Sequence, residues 1–90
     1  MRHASLTMSY HGGKFEAAYL YFPRRPGDKS VRTERPADGL VVDYAADGRA
    51  IGIEILSKSK TCLESLNRVL KSMHHEPLGE EDLRPLLAAG

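Results

Sequence analysis

The segment Gly39 to Leu56, GLVVDYAADGRAIGIEIL, constrains the fold of this chain more than any other. Two apolar, alternating runs flank Asp47-Gly48, a dipeptide that accepts the positive φ angles of a tight hairpin turn. Pairing the runs across that turn sets Tyr44 opposite Ile51, Val42 opposite Ile53 and Leu40 opposite Ile55. Successive strand residues point to opposite faces, so these six share one apolar face. The other face carries Val41, Asp43, Gly52, Glu54 and Leu56. Asp43 and Glu54 then lie on neighbouring strands of one face, offset by about one pair, with open space beside Asp43 where Gly52 stands.

Three further strands are predicted upstream. Ser5–Tyr10 alternates Leu6, Met8 and Tyr10 against Ser5, Thr7 and Ser9, and Gly12-Gly13 then marks a turn. Phe15–Phe22 sets Phe15, Ala17, Tyr19 and Tyr21 on one face and Ala18, Leu20 and Phe22 on the other, until Pro23, Pro26 and Gly27 end it. Ser30–Glu34 is short and polar and is stopped by Pro36, which suits an edge strand.

Downstream the period changes. Cys62, Leu63, Leu66, Val69, Leu70 and Met73 recur on one side of a helix over about 61–74. Thr61 and Glu64 fit a capping box at its start, and Pro77 and Gly79 end it. In Glu80–Gly90, Leu83, Leu86 and Leu87 are apolar, but Pro85 sits too far inside for an unbroken helix. A short or broken helix over about 80–89 is expected, or a tail that orders on a partner. The expected fold is therefore α+β, one domain over residues 1–90. It is a five-stranded antiparallel β-meander over about 5–56, with one face covered by the C-terminal amphipathic helix, plus a short C-terminal helical segment. One helix cannot cover both faces of such a sheet. The second is left to the tail 83–87 or, preferably, to another subunit.

The hairpin also carries a family resemblance. Val41-Val42-Asp43-Tyr44, Asp47-Gly48 and Gly52-Ile53-Glu54-Ile55-Leu56 resemble the pattern of the DUF2283 family, small prokaryotic proteins of uncharacterised function. That family has an N-terminal stretch Tyr-Asp … Asp-x-Leu-Tyr-Ile. Its counterpart here is Tyr10-His11 … Glu16-Ala17-Ala18-Tyr19-Leu20-Tyr21, with His11 where the family has Asp and Glu16 in place of the later acid. The resemblance covers about residues 6–57. It implies a small fold and no particular chemistry. Some members of such families look like the second component of a two-gene toxin–antitoxin pair.

Candidate chemistry is sparse. Asp43 and Glu54 would suit general acid–base work or a hard cation. Catalysis needs in addition a nucleophile, a tuned base or a metal shell, and none stands at a fixed spacing, so no catalytic residue and no enzyme activity is assigned. Asp43, Gly52 and Glu54 are read instead as polar markers of a partner-facing surface. The segment 24–35 holds Arg24, Arg25, Lys29, Arg32 and Arg35 against Asp28 and Glu34, a basic surface that could rest on phosphates. The whole chain has thirteen basic and twelve acidic residues and a net charge of +1, so it exerts no global pull on nucleic acid or membrane. His3, His11, His74 and His75 show no Cys–His ligand spacing, and no metal or cofactor is assigned. The lone Cys62 excludes an internal disulfide and reads as a small buried hydrophobe. With no apolar stretch of roughly 7–15 residues near the N-terminus, and no spanning run elsewhere, a cytoplasmic location is expected. The leading expectation is a small non-enzymatic protein-binding or oligomerising domain, a homodimer or an antitoxin-like partner of a second protein. The alternative is a nucleic-acid-binding module using the basic 24–35 hairpin.

Overall fold

The computed structural model describes residues 5–87. Five antiparallel strands form one sheet: β1 (Ser5–His11), β2 (Lys14–Tyr21), β3 (Arg32–Ala37), β4 (Leu40–Tyr44) and β5 (Ala50–Ile55). Two helices follow, α1 (Lys60–Ser72) and α2 (Glu80–Leu87). The fold is α+β. The sheet is meander-like, in the order β1-β2-β5-β4-β3. Neighbours in sequence pair throughout except at one point, where the connection after β2 carries the chain to the far edge and β5 closes against β2.

The central hairpin pairs largely as expected. Leu40 faces Ile55, Val42 faces Ile53 and Asp43 faces Gly52. The turn is closed by the N–H of Gly48 on the Ala45 carbonyl (3.0 Å) and of Ala45 on the Arg49 carbonyl (2.9 Å), with Gly48 at φ +90°. Tyr44, however, faces Ala50 and not Ile51. Ile51 is left without a partner on β4, and its carbonyl accepts the N–H of Phe22 at 3.2 Å. That register shift is a β-bulge, and it ends the simple alternation at the turn end of the ladder. A second bulge at Glu16 makes Phe15 the partner of Tyr10. Phe15 consequently packs against the core, and does not share the face of Ala17 and Tyr19 as strict alternation requires. A third irregularity admits Pro36 inside β3 instead of ending it. The strand lies at the sheet edge, where a residue without an N–H costs no ladder bond.

The core lies on one side of the sheet. Ala18, Leu20, Phe22, Leu40, Val42, Ile53 and Ile55 meet Cys62, Leu63, Leu66 and Leu70 of α1 in one buried cluster. Helix α1 is capped two residues earlier than the sequence suggests. Ser59, not Thr61, is the N-cap, its Oγ accepting the Cys62 N–H at 3.1 Å. The helix ends before Pro77. His74 adopts φ +63°, and the N–H groups of His74 and His75 close on the carbonyls of Lys71 (3.0 Å) and Leu70 (2.9 Å). This is a Schellman arrangement with histidine in the position glycine usually takes. The chain then turns back. Asn67 clamps Leu78 through both ends of its amide, accepting the Leu78 N–H at 2.8 Å and donating to its carbonyl at 3.2 Å.

Helix α2 forms with Pro85 inside it. Pro85 and Glu81 are exposed, so water can serve the Glu81 carbonyl that lacks its intrahelical donor. The Gly79 N–H is capped by the Asp82 carboxylate at 2.9 Å. Leu78 and Leu86 are buried in the same cluster as the sheet and α1, and Leu83 packs against it. The C-terminal segment thus adds to the core already covered by α1. It does not fold over the second face of the sheet.

Candidate functional site

The second face is built from two rows of side chains that cross the sheet. In one, Ser5, Tyr21, Gly52, Asp43 and Thr33 follow one another from β1 to β3. In the other, Thr7, Tyr19, Glu54 and Val41 do so from β1 to β4. No described helix residue joins this face. Its centre is Tyr19. The ring leans diagonally from β2 over Gly52 of β5, so closely that a Cβ on Gly52 would lie 2.2 Å from the Tyr19 Oη and 2.4 Å from Cζ. Beyond Gly52 the phenol donates a 2.6 Å hydrogen bond to Oδ2 of Asp43 on β4. The open space expected beside Asp43 is therefore occupied. A glycine inside a strand often marks such a close approach, and an aromatic laid across it restores the contact area that glycine lacks.

The other Asp43 oxygen is engaged as well. Ser30 Oγ donates to Oδ1 at 3.2 Å, which ties the long β2–β3 connection to the sheet. Burial, and then the hydrogen bond to Asp43 and its negative charge, push the Tyr19 phenol well above its ordinary range, with Arg24 working in the opposite direction. Tyr19 accordingly stays protonated at neutral pH and donates this hydrogen bond to Asp43. Asp43 and Glu54 share the face, as expected, but Asp43 is committed to Tyr19 and Ser30. Among the described residues no group of three or more His, Cys, Asp or Glu is arranged to hold a metal. His3 lies outside the described residues. His74 serves the end of α1, and His75 stacks on Phe22 with ring centroids 4.3 Å apart.

What the arrangement presents is an aromatic surface with charges at its margin. Tyr19 and Tyr21 are 4.5 Å apart between centroids and tilted by 58°, and the Arg24 guanidinium lies 5.4 Å from the Tyr21 centroid. Val41 is buried on this side, and Glu54 is half-buried beside it. The five basic residues of 24–35 are not gathered into one patch. Arg24 lies over Tyr21 on the open face, whereas Arg32 lies 4.1 Å from the centroid of Tyr44, a residue packed against the core, and pairs with Glu34. The loop is held down by an acidic contact. Arg49 bridges Asp28 and Asp47, at 2.7 Å to each, and this bond holds both carboxyls below their usual range. Tyr19 and Arg49 are the organising residues that sequence reasoning missed. Only the isolated glycine at 52 signalled the first.

Fold and face together define a small α+β protein with one sheet face sealed by two helices and the other, among the described residues, without a helix. A family model described as a protein of unknown function (DUF2283) matches residues 16–59, and this stretch of the chain belongs to that family. The match runs from β2 to the cap of α1. It takes in Tyr19, Asp43 and Gly52 and leaves out β1, including His11, and both helices. No curated protein and no solved structure matches the chain. Among the described residues no helix is long and apolar enough to cross a membrane.

Proposed function

We propose that this chain is a small protein-binding domain without catalytic machinery of its own, and that its partner surface is the face around Tyr19, Tyr21, Asp43 and Glu54. One observation carries the reading: both helices pack on the same side of the sheet, so among the described residues the face that holds the paired tyrosines has no helical cover. Tyrosine and arginine are the residue types over-represented among the anchors of protein interfaces. Here Tyr19 is fixed by Asp43 and Gly52, so little side-chain freedom is lost on binding. A second protein, as in the antitoxin-like form of this reading, is the occupant the surface suits.

The test compares tagged wild type with Tyr21→Glu and with Lys60→Glu on the helical side, each purified from the cells that naturally carry the gene. One protein recovered in stoichiometric amount with wild type and Lys60→Glu, and lost with a Tyr21→Glu variant that keeps its circular dichroism spectrum, is the expected result. Equal recovery by all three, or no stoichiometric partner, would overturn the reading.

A further inference from the structure

The two edges of the sheet are built differently. The β3 edge is guarded: it is broken by Pro36, carries Arg32, Glu34 and Arg35, and is contacted by α1. Charge, proline and a covering helix are the usual devices that stop one sheet from adding to another. Among the described residues the β1 edge has none of them. From Ser5 to Tyr10 it contains no charged residue and no proline, and among the described residues it pairs with β2 alone. Leu6 and Met8 pack against the margin of the core but remain partly exposed, while Ser5, Thr7 and Ser9 are exposed on the open face. A guarded edge at one end of a sheet and a bare one at the other marks the bare edge as a pairing site.

We propose that β1 pairs with β1 of a second copy, antiparallel and about a two-fold axis at Thr7, to give a continuous ten-stranded sheet. The sequence of the strand is its own complement about that residue. Thr7 then faces the partner's Thr7, Leu6 faces the partner's Met8, and Ser5 faces the partner's Ser9. Apolar side chains meet apolar ones on the core side, and hydroxyls meet hydroxyls on the open side, which are the favourable cross-strand combinations. The paired edges satisfy each other's free backbone N–H and C=O groups and cover Leu6 and Met8. An axis of this kind runs perpendicular to the sheet, so both copies present their Tyr19–Tyr21 face on the same side. The pairing uses the edge of the sheet and stands independently of what binds its face.

The experiment is size-exclusion chromatography with light scattering over a range of concentrations, followed by cysteine cross-linking. Wild type and Tyr21→Glu should rise with concentration from the single-chain mass of 10.0 kDa toward twice that value. Thr7→Lys, which sets two like charges face to face on the axis, should stay at the single-chain mass while keeping its circular dichroism spectrum. Thr7→Cys should form a covalent dimer under mild oxidation, because directly opposed residues of antiparallel strands lie about 4.5–5.5 Å apart between Cα atoms, within the reach of a disulfide. Ser9→Cys should not, since the two copies of that residue would be about 13 Å apart along the strands. The native Cys62 is buried and does not compete. A wild type that stays at the single-chain mass, a dimer unmoved by Thr7→Lys, or cross-linking through Ser9→Cys in place of Thr7→Cys would overturn the proposal.

Discussion

Replacing Gly52 by alanine adds a single methyl group where the Tyr19 ring now lies, and its cost follows from the contacts that would have to give way. The new Cβ would stand 2.2 to 2.4 Å from three atoms of Tyr19, distances no real contact sustains. Those atoms form the far end of the side chain, so the ring can swing aside without moving the backbone. Its hydrogen bond to Asp43 is then lost. A bond to a charged group contributes about 1.5–3 kcal/mol, and the lower end applies because Asp43 is half-buried and keeps Ser30. Re-exposing about 40 Å² of ring costs roughly another 1 kcal/mol. Against these, alanine is favoured over glycine in a strand by about 0.5–1 kcal/mol. The net expectation is a loss of about 1.5–2 kcal/mol, or a fall in Tm of roughly 6–16 °C for a chain of this size.

The informative comparison is a cycle with Tyr19→Ala, followed by urea denaturation with far-ultraviolet circular dichroism as the probe. Once the ring is absent, nothing opposes the methyl group, and Gly52→Ala should change sign and stabilise by about 0.5–1 kcal/mol. The coupling between the two positions should therefore be about 2–3 kcal/mol. If Gly52→Ala destabilised equally in both backgrounds, the glycine would be required by the backbone and not by Tyr19. The account of the open face would then fail.

Three further outcomes follow from the packing and the charges. Asn67→Ala removes both bonds to Leu78 and leaves a buried N–H without its acceptor, so stability should fall by about 1–3 kcal/mol, and hydrogen exchange should quicken across residues 78–87 before the rest of the chain. Leu86→Ala should cost about 2–5 kcal/mol in global denaturation, because Leu86 is fully buried; a change near zero would mean that α2 is not part of the core. The Tyr19 phenol is raised above its ordinary value of 10.0, so the unfolded chain loses this proton first and stability falls as the pH rises beyond that value. Tyr19→Phe should flatten part of this alkaline loss, measured as Tm against pH between 9 and about 11.5.

Much of the fold can be read from local pattern, and the exceptions within the sheet share one physical cause. The Asp47-Gly48 turn determines which residues of β4 and β5 oppose each other, so Leu40 with Ile55, Val42 with Ile53 and Asp43 with Gly52 follow from spacing alone. Alternation fails at Ile51, Glu16 and Pro36, where the strands bulge or shift register. A bulge changes parity without a signal in composition, so Phe15 joins the core although its spacing from Ala17 assigns it to the other face. The site depends on a longer-range choice. Tyr19 can reach Gly52 and Asp43 only because β2 lies beside β5, and those strands are separated by the whole of β3 and β4. Nothing in the hairpin itself states which strand its outer edge will meet. The same choice that lets Tyr19 close over Gly52 places β1 at one end of the sheet and the proline-broken β3 at the other. Pairing β2 with β5 thus settles two things together: the aromatic centre of the open face, and which edge is left bare.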